Sequence, residues 1–360
     1  MEEKIYWLAL HRTPGLGPRR FMELLQAFPS PREVWEAPER ELLAKGLNPS
    51  LVASLSQWRR QCCLSEIEGE LKAKGIKVTL LKEDDYPEEL RHIYDPPPVL
   101  YWQGSRLPGE GLKIALVGTR KATPYGLRVA LQLACELAEA GVGVVSGLAR
   151  GIDSAAHRGA LKAGGLTWAV LGCGVDVVYP PENRQLYQEI KEKGAVISEF
   201  PPGTPPHPGH FPARNRIISG LCQGVVVVEA PSRSGALITA DMALEQNRDV
   251  FAVPGPITSR ASRGCLELIQ QGAKMVTCTG DILSEYGFVI PDRSPSGGET
   301  RPPLLPGEEA VWPFLGDVPV HLDFLLSRTG MSPGDLGRLL VQMELRGLVK
   351  RLPGGFYQRV

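Results

Sequence analysis

Several patterns typical of metal centres, disulfide frameworks and membrane spans are missing from this chain of 360 residues. Its seven cysteines are an odd number and include no CxxC pair, which favours reduced thiols over disulfides or a zinc site. No run of about 18 apolar residues is present, so no membrane-spanning helix is expected. The acidic start MEEKIYWLALHR also lacks the basic flank and the cleavage site of a signal peptide.

The common motifs for cofactors and nucleotide hydrolysis are missing as well. No GxGxxG is followed about 20 residues later by an acid that could bind a ribose, which argues against a dinucleotide site. The GxxxxGK[ST] loop and the HExxH zinc motif are absent. His207 and His210 lie in a Pro- and Gly-rich loop, where exposure is more typical than metal ligation. We therefore expect no cofactor, no metal and no catalytic residues.

The net charge is zero, because 40 basic residues balance 40 acidic ones. This balance excludes a general electrostatic attraction of the whole molecule to nucleic acid. The distribution of charge is uneven, however. Residues 1–100 carry 14 basic and 16 acidic side chains, whereas residues 111–135, 200–228 and 250–266 contain arginines and no carboxylate. The pattern indicates that anions bind at particular loops.

Residues 1–74 are predicted to form a small helical domain. In HRTPGLGPRRFMELLQAF, a Gly-x-Gly-Pro turn precedes apolar residues at helical spacing, namely Phe21, Leu24, Leu25 and Phe28. The arrangement resembles helix-hairpin-helix and sterile-alpha-motif-like folds, some of which hold DNA phosphates on backbone N–H groups. The acidic balance of this region argues against strong DNA contact and favours a packing or interaction module.

Residues 75–287 show the pattern of an α/β domain. A strand-like IKVTLL and the extended DPPPVLYWQG precede six short apolar strands, which are KIALVG, GVGVVSG, LTWAVLG, AVISEF, GVVVVEA and DVFAVPG. Amphipathic helices are predicted near 124–140, 152–163, 182–193, 212–222, 235–246 and 263–271. Continuously apolar strands that alternate with helices predict a doubly wound, mostly parallel sheet covered on both faces.

Two further segments follow the α/β domain. Residues 288–308 are rich in Pro, Gly and Ser and are predicted to be a flexible linker. Residues 309–360 show the order helix, turn, helix, hairpin, which is the layout of a winged helix. This last domain carries six basic and five acidic side chains, a small excess for a groove-reading domain. Lys350 and Arg351 could touch a phosphate, but protein interaction or an accessory role is an equally good interpretation.

The candidate binding residues follow the strands of the α/β domain, because ligands of open α/β sheets bind beyond the carboxyl ends of the strands. These loops offer glycines for close backbone approach, with hydroxyls and arginines that suit phosphate. The candidates are Gly118, Thr119, Arg120 and Lys121 after the first strand, Ser146, Gly147, Arg150 and Gly151 after the second, Phe211, Arg214, Asn215 and Arg216 after the fourth, and Arg233, Ser234, Gly235 and Thr239 after the fifth. For His157, packing and lining the site are equally plausible.

Six motifs in one order resemble the DNA-processing protein A (DprA/Smf) family of bacterial natural transformation. They are VGTRKATPYG, SGLARGIDSAAHRGAL, LGCGVDVVYPPENRQLY, SEFPPG, FPARNRIISGL and SGALITADMALEQNRDVFAVPG. The similarity covers about residues 75–287. It implies an extended Rossmann-like domain that binds single-stranded DNA without sequence preference. It also implies loading of the RecA recombinase, a homodimer, a cytoplasmic location and no established catalytic reaction.

The resemblance assigns roles to two of the motifs. Gly118, Thr119 and Arg120 match the family's Gly-Ser/Thr-Arg motif, which holds DNA phosphate, with Thr119 in place of the commoner serine. Phe211, Arg214, Asn215 and Arg216 match its Phe-x-x-Arg-Asn-Arg motif, in which an aromatic beside arginines suits base stacking next to phosphates. Arg150 and Ser234 are carried over as further contacts.

The alternative hypothesis is a nucleotide-binding sensor or a nucleoside monophosphate hydrolase of similar fold. Such hydrolases carry Pro-Gly-Gly-x-Gly-Thr-x-x-Glu, whereas this chain has PSRSGALITAD. Thr239 fits that signature loosely, and the acid is displaced to Asp241 or Glu245. A transcription factor that uses the winged helix fits neither the charge of that domain nor the size of the remainder.

Overall fold

The computed structural model describes residues 2–288, 304–316 and 319–359. The chain divides into two compact units, Met1–Val289 and Ile290–Val360. Most of the predicted linker at 288–308 lies outside the described residues. Its last residue, Glu308, begins a short helix and is fully buried. No helix in the described ranges is both long and apolar enough to span a bilayer.

Six helices open the first unit, in agreement with the helical pattern of the first 74 residues. The helix α2 begins at Pro18, directly after the Gly-x-Gly turn, and Phe21, Leu24 and Phe28 are buried, as their spacing predicts. The six helices are α1 (Glu2–His11), α2 (Pro18–Ala27), α3 (Pro31–Glu36), α4 (Glu39–Ala44), α5 (Pro49–Gln61) and α6 (Leu64–Ala73).

These helices share one hydrophobic core with the first two strands, β1 (Lys77–Leu80) and β2 (Val99–Gly104). Trp7 donates its indole N–H to the carbonyl oxygen of Pro98 at 3.2 Å. Tyr101, a fully buried residue of β2, lies against His11 of α1 with ring centroids 5.7 Å apart. The helical region therefore packs on the antiparallel edge of the sheet. That residues 1–74 fold as a domain of their own stays a prediction.

Nine strands form the main sheet, in the order β1-β2-β6-β5-β4-β3-β7-β8-β9. The strands β3 to β9 run parallel to one another, and β2 is antiparallel to both of its neighbours, β1 and β6. The doubly wound, mostly parallel sheet predicted from the sequence is confirmed. The added strands are β3 (Lys113–Gly118), β4 (Gly143–Ser146), β5 (Thr167–Val170), β6 (Ala195–Ser198), β7 (Gly224–Glu229), β8 (Asp249–Ala252) and β9 (Lys274–Met275).

Helices cover both faces of this sheet and lie close to their predicted positions. The strands between them are apolar because both faces are buried; every residue of β7 is buried. The helices are α7 (Glu88–Arg91), α8 (Pro124–Glu139), α9 (Ile152–Lys162), α10 (Arg184–Lys193), α11 (His210–Gly220), α12 (Gly235–Glu245), α13 (Arg263–Gln270) and α14 (Thr279–Leu283).

The direction of winding reverses between β3 and β7. From β3 the chain adds β4, β5 and β6 on one side, and it then returns through α11 to place β7 on the other side of β3. The loops after β3 and β7 consequently diverge to opposite faces and leave a crevice beyond the carboxyl ends of the strands. Ligands of doubly wound folds bind at this reversal point.

The second unit has the winged-helix layout predicted from the sequence. Ser332 caps α17 by accepting a hydrogen bond from the backbone N–H of Asp335 at 3.2 Å. Leu336, Leu340 and Met343 of this helix are fully buried in the core of the unit. The elements are α15 (Glu308–Val311), β10 (Val320–His321), α16 (Leu322–Thr329), α17 (Pro333–Leu345), β11 (Val349–Leu352) and β12 (Phe356–Arg359), with the strands in the order β10-β12-β11.

Candidate nucleic-acid interface

An open cleft of about 630 Å³ lies at the reversal point of the sheet. The loops that follow β3, β4, β5, β6 and β7 contribute to its walls, so the structure brings together most of the residues that the sequence singled out. The cleft is lined by Val117, Gly118, Thr119, Arg120, Ala149, Asp153, Tyr179, Pro206, Pro208, Phe211, Pro212, Arg214, Asn215, Ile218, Pro231, Arg233, Ser234, Gly235, Ala236 and Thr239.

The loop after β3 is held in place by its backbone. The N–H of Thr119 donates to the carbonyl oxygen of Glu229 at 2.7 Å, and the carbonyl oxygen of Thr119 accepts from the N–H of Ile152 at 3.3 Å. Gly151 has φ of +75°, and a Cβ there would lie 2.3 Å from the carbonyl oxygen of Thr119. Glycine at 151 therefore allows the loops after β3 and β4 to touch, which fixes the direction of Arg120.

Arg120 is an exposed cation on the cleft wall. Its guanidinium carbon lies 5.0 Å from the centre of the Phe211 ring, within the range of a cation–π contact. Phe211 in turn packs on Gly172, where a Cβ would lie 2.8 Å from the ring. In the described part of the chain neither Arg120 nor Arg233 has a carboxylate within ion-pairing distance. Both are therefore available to bind an anion.

Lys121 adds a third cation beside Arg120. Its backbone N–H donates to the hydroxyl of Thr119 at 3.2 Å, while its side chain is exposed. Thr119 thus uses its hydroxyl to shape the turn, as short polar side chains in turns commonly do. The residue also presents its backbone at the cleft, where a phosphate could approach.

Arg214 lines the cleft, but it is 4% exposed and its hydrogen-bonding atoms face inward. It donates to the carbonyl oxygen of Gly147 at 2.9 Å and also to that of Val170. Burial lowers the pKa of Arg214 to about 10, against the opposing effect of Asp153. Burial raises the pKa of the Asp153 carboxyl, although Arg214 and the N–H groups of Gly147 and Ala149 favour its charged form. Arg214 therefore joins the ends of β4 and β5.

Arg216 is not brought to the cleft. Its guanidinium forms a bidentate ion pair with Glu199, with N–O distances of 2.8 and 2.6 Å. It also donates to the carbonyl oxygen of Asp95 at 3.1 Å. Burial opposes its charged form, but Glu199 and Asp95 outweigh that effect and raise the pKa of Arg216. The sequence pattern could not separate this arginine from Arg120, because the difference lies in which carboxylates the fold places nearby.

Ser146, the last residue of β4, and Arg150, in the loop that follows it, occupy different positions. Ser146 is fully buried and donates its hydroxyl to the carbonyl oxygen of Leu116 at 2.6 Å, so it joins neighbouring strands. Arg150 is 61% exposed and lies beside a small cavity that also touches Arg120 and Phe211. Arg150 is ion-paired with Glu182, which compensates its charge. Gly147 lines that cavity as well.

The loop after β7 contributes the start of α12. Ser234 caps this helix by accepting from the N–H of Ala236 at 3.3 Å. Asn215 donates from its side-chain amide to the carbonyl oxygen of Gly235 at 3.2 Å, which joins α11 to α12. Thr239 is buried and donates its hydroxyl to the same carbonyl oxygen at 3.3 Å. Of this group, Ser234 and Gly235 present the more accessible atoms at the cleft.

Tyr179, Pro206 and Pro208 also line the cleft, although the sequence did not predict them there. The ring centre of Tyr179 lies 5.6 Å from that of Phe211, and the two planes are tilted by 32°. The sequence signal that could have identified Tyr179 is an aromatic residue in the loop after β5. His157, by contrast, is fully buried in α9, with Nδ1 2.7 Å from the hydroxyl of Thr167. His157 therefore does not line the cleft.

Two family models match the chain. The model of DNA recombination-mediator protein A matches residues 77–287, and the model of the DprA winged helix domain matches residues 296–355. Among curated proteins, Protein Smf from Synechocystis is 36% identical over 397 aligned positions, which cover 99% of both chains. DNA processing protein DprA from Streptococcus pneumoniae is 48% identical over 206 positions, which cover 57% of this chain and 73% of that protein.

Two solved structures are similar to this chain. The structure of DprA from Streptococcus pneumoniae has a TM-score of 0.69 at 38% identity and covers 78% of this chain and 97% of its own. The structure of DNA processing protein A from Helicobacter pylori has a TM-score of 0.53 at 30% identity and covers 59% of this chain and 97% of its own. Together with the two family models, these similarities show that the chain belongs to the DNA-processing protein A (DprA/Smf) family.

Proposed function

We propose that this chain binds single-stranded DNA in the cleft and transfers the strand to the RecA recombinase during natural transformation. The observation that carries the proposal is the pair of exposed arginines, Arg120 and Arg233, on opposite walls of one open cleft at the reversal point of the sheet. The relative from Helicobacter pylori is described as having a unique single-stranded DNA binding mode. A cleft that is open to solvent suits a continuous strand, which must leave the site at both ends.

The phosphates of the strand are expected to lie along the loops after β3 and β7. Gly118, Thr119 and Arg120 form one wall, with Ser234 and Gly235 on the other. Lys121 does not line the cleft, but its exposed side chain follows Arg120 directly and is proposed to reach a phosphate at the rim. Arginine suits this role because its guanidinium can grip a phosphate with two hydrogen bonds. Phe211 and Tyr179 supply aromatic surface for bases. Arg214, Asn215, Gly147 and Gly151 support these walls from within.

Binding without catalysis agrees with the carboxylates around the cleft. Among the residues that line it, Asp153 is the one carboxylate, and the N–H groups of Gly147 and Ala149 engage it at 3.2 and 3.4 Å. Asp241 and Glu245, the acids weighed for a nucleotide hydrolase, are exposed on α12 and do not line the cleft. We therefore propose a protein that binds DNA without catalysing a reaction. The competing hypothesis is a sensor that binds a mononucleotide.

The remaining parts of the proposal rest on the family. We expect a homodimer, as the resemblance to the family implies. We also expect a cytoplasmic location, because transfer of a bound strand to RecA requires both proteins in one compartment. A RecA loading assay with a strand coated by single-strand-binding protein tests this part. The protein should shorten the lag before RecA assembles on the coated strand. An unchanged lag would contradict RecA loading but would leave the proposed binding of DNA intact.

Fluorescence anisotropy tests the binding step. Labelled oligothymidine, the matching duplex and a labelled mononucleotide would each be titrated over a salt series. The strand should bind most tightly, and Arg120→Ala should weaken it and reduce the salt slope by about 0.7, the contribution of one single-strand phosphate contact. Lys193→Ala is the matched control. Lys193 is an exposed cation at the last residue of α10, near the amino-terminal end of β6 and away from the cleft. Tight mononucleotide binding with indifference to the strand would instead establish a nucleotide sensor.

A further inference from the structure

The loop after β8, residues 254–263, carries basic and apolar side chains that the cleft does not use. We call it the β8 loop. Arg260 and Arg263 are both exposed, and the described residues include no carboxylate within ion-pairing distance of either. Residues 250–266 contain no acid at all. Glu267, the next carboxylate along α13, accepts a hydrogen bond from Ser232 at 2.8 Å.

The β8 loop lies directly beside the cleft. The strands β7 and β8 are parallel neighbours, with Val227 opposite Ala252, so their following loops leave the same edge of the sheet. The N–H of Gly264 donates to the carbonyl oxygen of Ala230 at 2.8 Å, and a Cβ at 264 would lie 3.0 Å from the carbonyl oxygen of Pro231. The start of α13 therefore touches the backbone that leads into the cleft loop containing Arg233.

The loop is also fixed in shape. Tyr125, from the first turn of α8, donates its hydroxyl to the carbonyl oxygen of Pro254 at 2.9 Å. Within the loop, the N–H of Ser259 donates to the carbonyl oxygen of Pro256 at 2.9 Å. A Cβ at Gly255 would lie 2.2 Å from the hydroxyl of Ser262, which is buried. A ligand would therefore meet a preformed surface and would not have to order a free loop.

Ile257 is 82% exposed at the outer side of this loop. Among the large apolar side chains of the first unit, only Tyr94 is more exposed in the described residues, at 88%. An aliphatic side chain next to two unpaired arginines combines an apolar contact with anion binding. Nucleic-acid strands present the matching pair of features, since apolar base faces alternate with phosphates along one chain.

We infer that the β8 loop extends the DNA-binding surface beyond the cleft, with Arg260 and Arg263 on phosphates and Ile257 against a base. The inference rests on the proposed function, because the occupant is the same single strand as it leaves the cleft past Arg233. Charge complementarity and continuity with the cleft favour a nucleic-acid strand over a protein partner. The β8 loop then sets how many nucleotides one chain covers.

Length dependence is the decisive measurement. Oligothymidines of increasing length would be titrated to find the shortest that the wild-type protein binds measurably, and that length would be compared with a strand of 30 nucleotides. The variant Arg260→Ala/Arg263→Ala should bind the shortest strand normally and the long strand several-fold more weakly. Its salt slope on the long strand should fall by up to about 1.4, so the affinity ratio to wild type changes about sevenfold between 50 and 200 mM salt.

The controls separate this inference from the proposed function. Lys162→Ala/Lys193→Ala removes two exposed cations near the amino-terminal ends of the β-strands, away from the cleft. This variant should bind the short and the long oligothymidine as the wild type does. Arg120→Ala should weaken both the short and the long strand. If Arg120→Ala acts and the β8-loop variant leaves the long strand unchanged, the extension is overturned and the cleft stands. If neither acts, the proposed function fails as well.

Ile257 gives an independent readout. Ile257→Ser should weaken the long strand without changing the salt slope, because an apolar contact releases no counterions. With p-benzoylphenylalanine at position 257, irradiation should attach the labelled long strand to this residue. A photoproduct that joins two protein chains, with no strand attached, would overturn the inference and identify the loop as a protein interface.

Discussion

The guanidinium of Arg214 and the carboxylate of Asp153 approach Gly147 from two sides. A Cβ at position 147 would lie 2.7 Å from Nη2 of Arg214 and 2.7 Å from Oδ2 of Asp153. Glycine at the end of β4 is therefore required by packing of charged groups and not by an unusual backbone angle. Both side chains line the cleft, and their hydrogen bonds to the backbone at Gly147 hold the surrounding loops in place.

Replacing Arg214 is expected to destabilise the first unit. Arg214→Ala removes the nearby positive charge that favours the ionised form of the buried Asp153 carboxyl, and it removes two hydrogen bonds from the guanidinium to backbone carbonyl oxygens. Hydrogen bonds from a charged donor contribute about 1.5–3 kcal/mol each. Urea denaturation should show the loss. The deficit should narrow as the pH falls, because the pKa of Asp153 is already raised by burial and a protonated Asp153 no longer needs the partner. Asp153→Asn/Arg214→Ala should therefore be more stable than Arg214→Ala at pH 8; equal stability would contradict the coupling.

Arg216 provides the contrasting case, since it belongs to the FPARNR motif yet pairs with Glu199. Glu199 is 6% exposed, and loss of its partner should destabilise the protein by about 3–5 kcal/mol. The folded Arg216→Ala protein should nevertheless bind oligothymidine with the wild-type salt slope, because this guanidinium is outside the cleft. A slope reduced by about 0.7 would show that Arg216 contacts phosphate after all.

The difference between these arginines shows where the sequence was informative. Continuous apolar runs such as GVVVVEA predicted the parallel strands, and the loops after them were predicted to meet, because the carboxyl ends of parallel strands share one edge. Phe211, Arg120 and Arg233 could be placed at the cleft in this way. The charged neighbours of Arg214 and Arg216 could not be predicted, since Asp153 and Glu199 are 61 and 17 residues away along the chain, as their numbers show.

Other features escaped prediction for related reasons. The close packing of the N-terminal helices on β1 and β2 depends on Tyr101 and Trp7, which carry no periodic signal that names a partner. Tyr179 lies in a loop without a helix or strand pattern, so its approach to Phe211 follows from the path of that loop. Ion pairs and loop paths are decided by contacts between distant residues, and a single sequence does not record them.

His157 predicts a specific dependence of stability on pH. Burial lowers the pKa of this histidine from 6.5 to about 3. The unfolded chain therefore binds a proton below pH 6.5 that the folded protein excludes, so stability is full above 6.5 and is lost as the pH falls. The slope approaches about 1.4 kcal/mol per pH unit for one site. His157→Gln should remove that share of the slope in urea titrations between pH 4.5 and 7, whereas the exposed His92→Gln should not.

The ion pair between Arg150 and Glu182 leads us to expect that a variant without the Glu182 charge binds DNA more tightly. Both side chains are largely exposed, at 61% and 48%, and Glu182 compensates the charge of Arg150 beside the cavity next to Arg120. Glu182→Gln keeps the shape of the side chain and removes its charge, so Arg150 becomes available to phosphate. Affinity for oligothymidine should rise, and the salt slope should steepen by about 0.7, the value for one additional contact.

A double-variant cycle distinguishes this release of Arg150 from a general loss of negative charge. In Glu182→Gln/Arg150→Ala the gain should disappear, because no freed guanidinium remains. Glu189→Gln is the matched control: Glu189 lies on the following helix, α10, and accepts a hydrogen bond from Gln185 at 2.8 Å. If Glu189→Gln raised the affinity as much as Glu182→Gln, long-range charge would be the cause. If only Glu182→Gln acts, and only with Arg150 present, the ion pair sets the affinity of this side of the cleft.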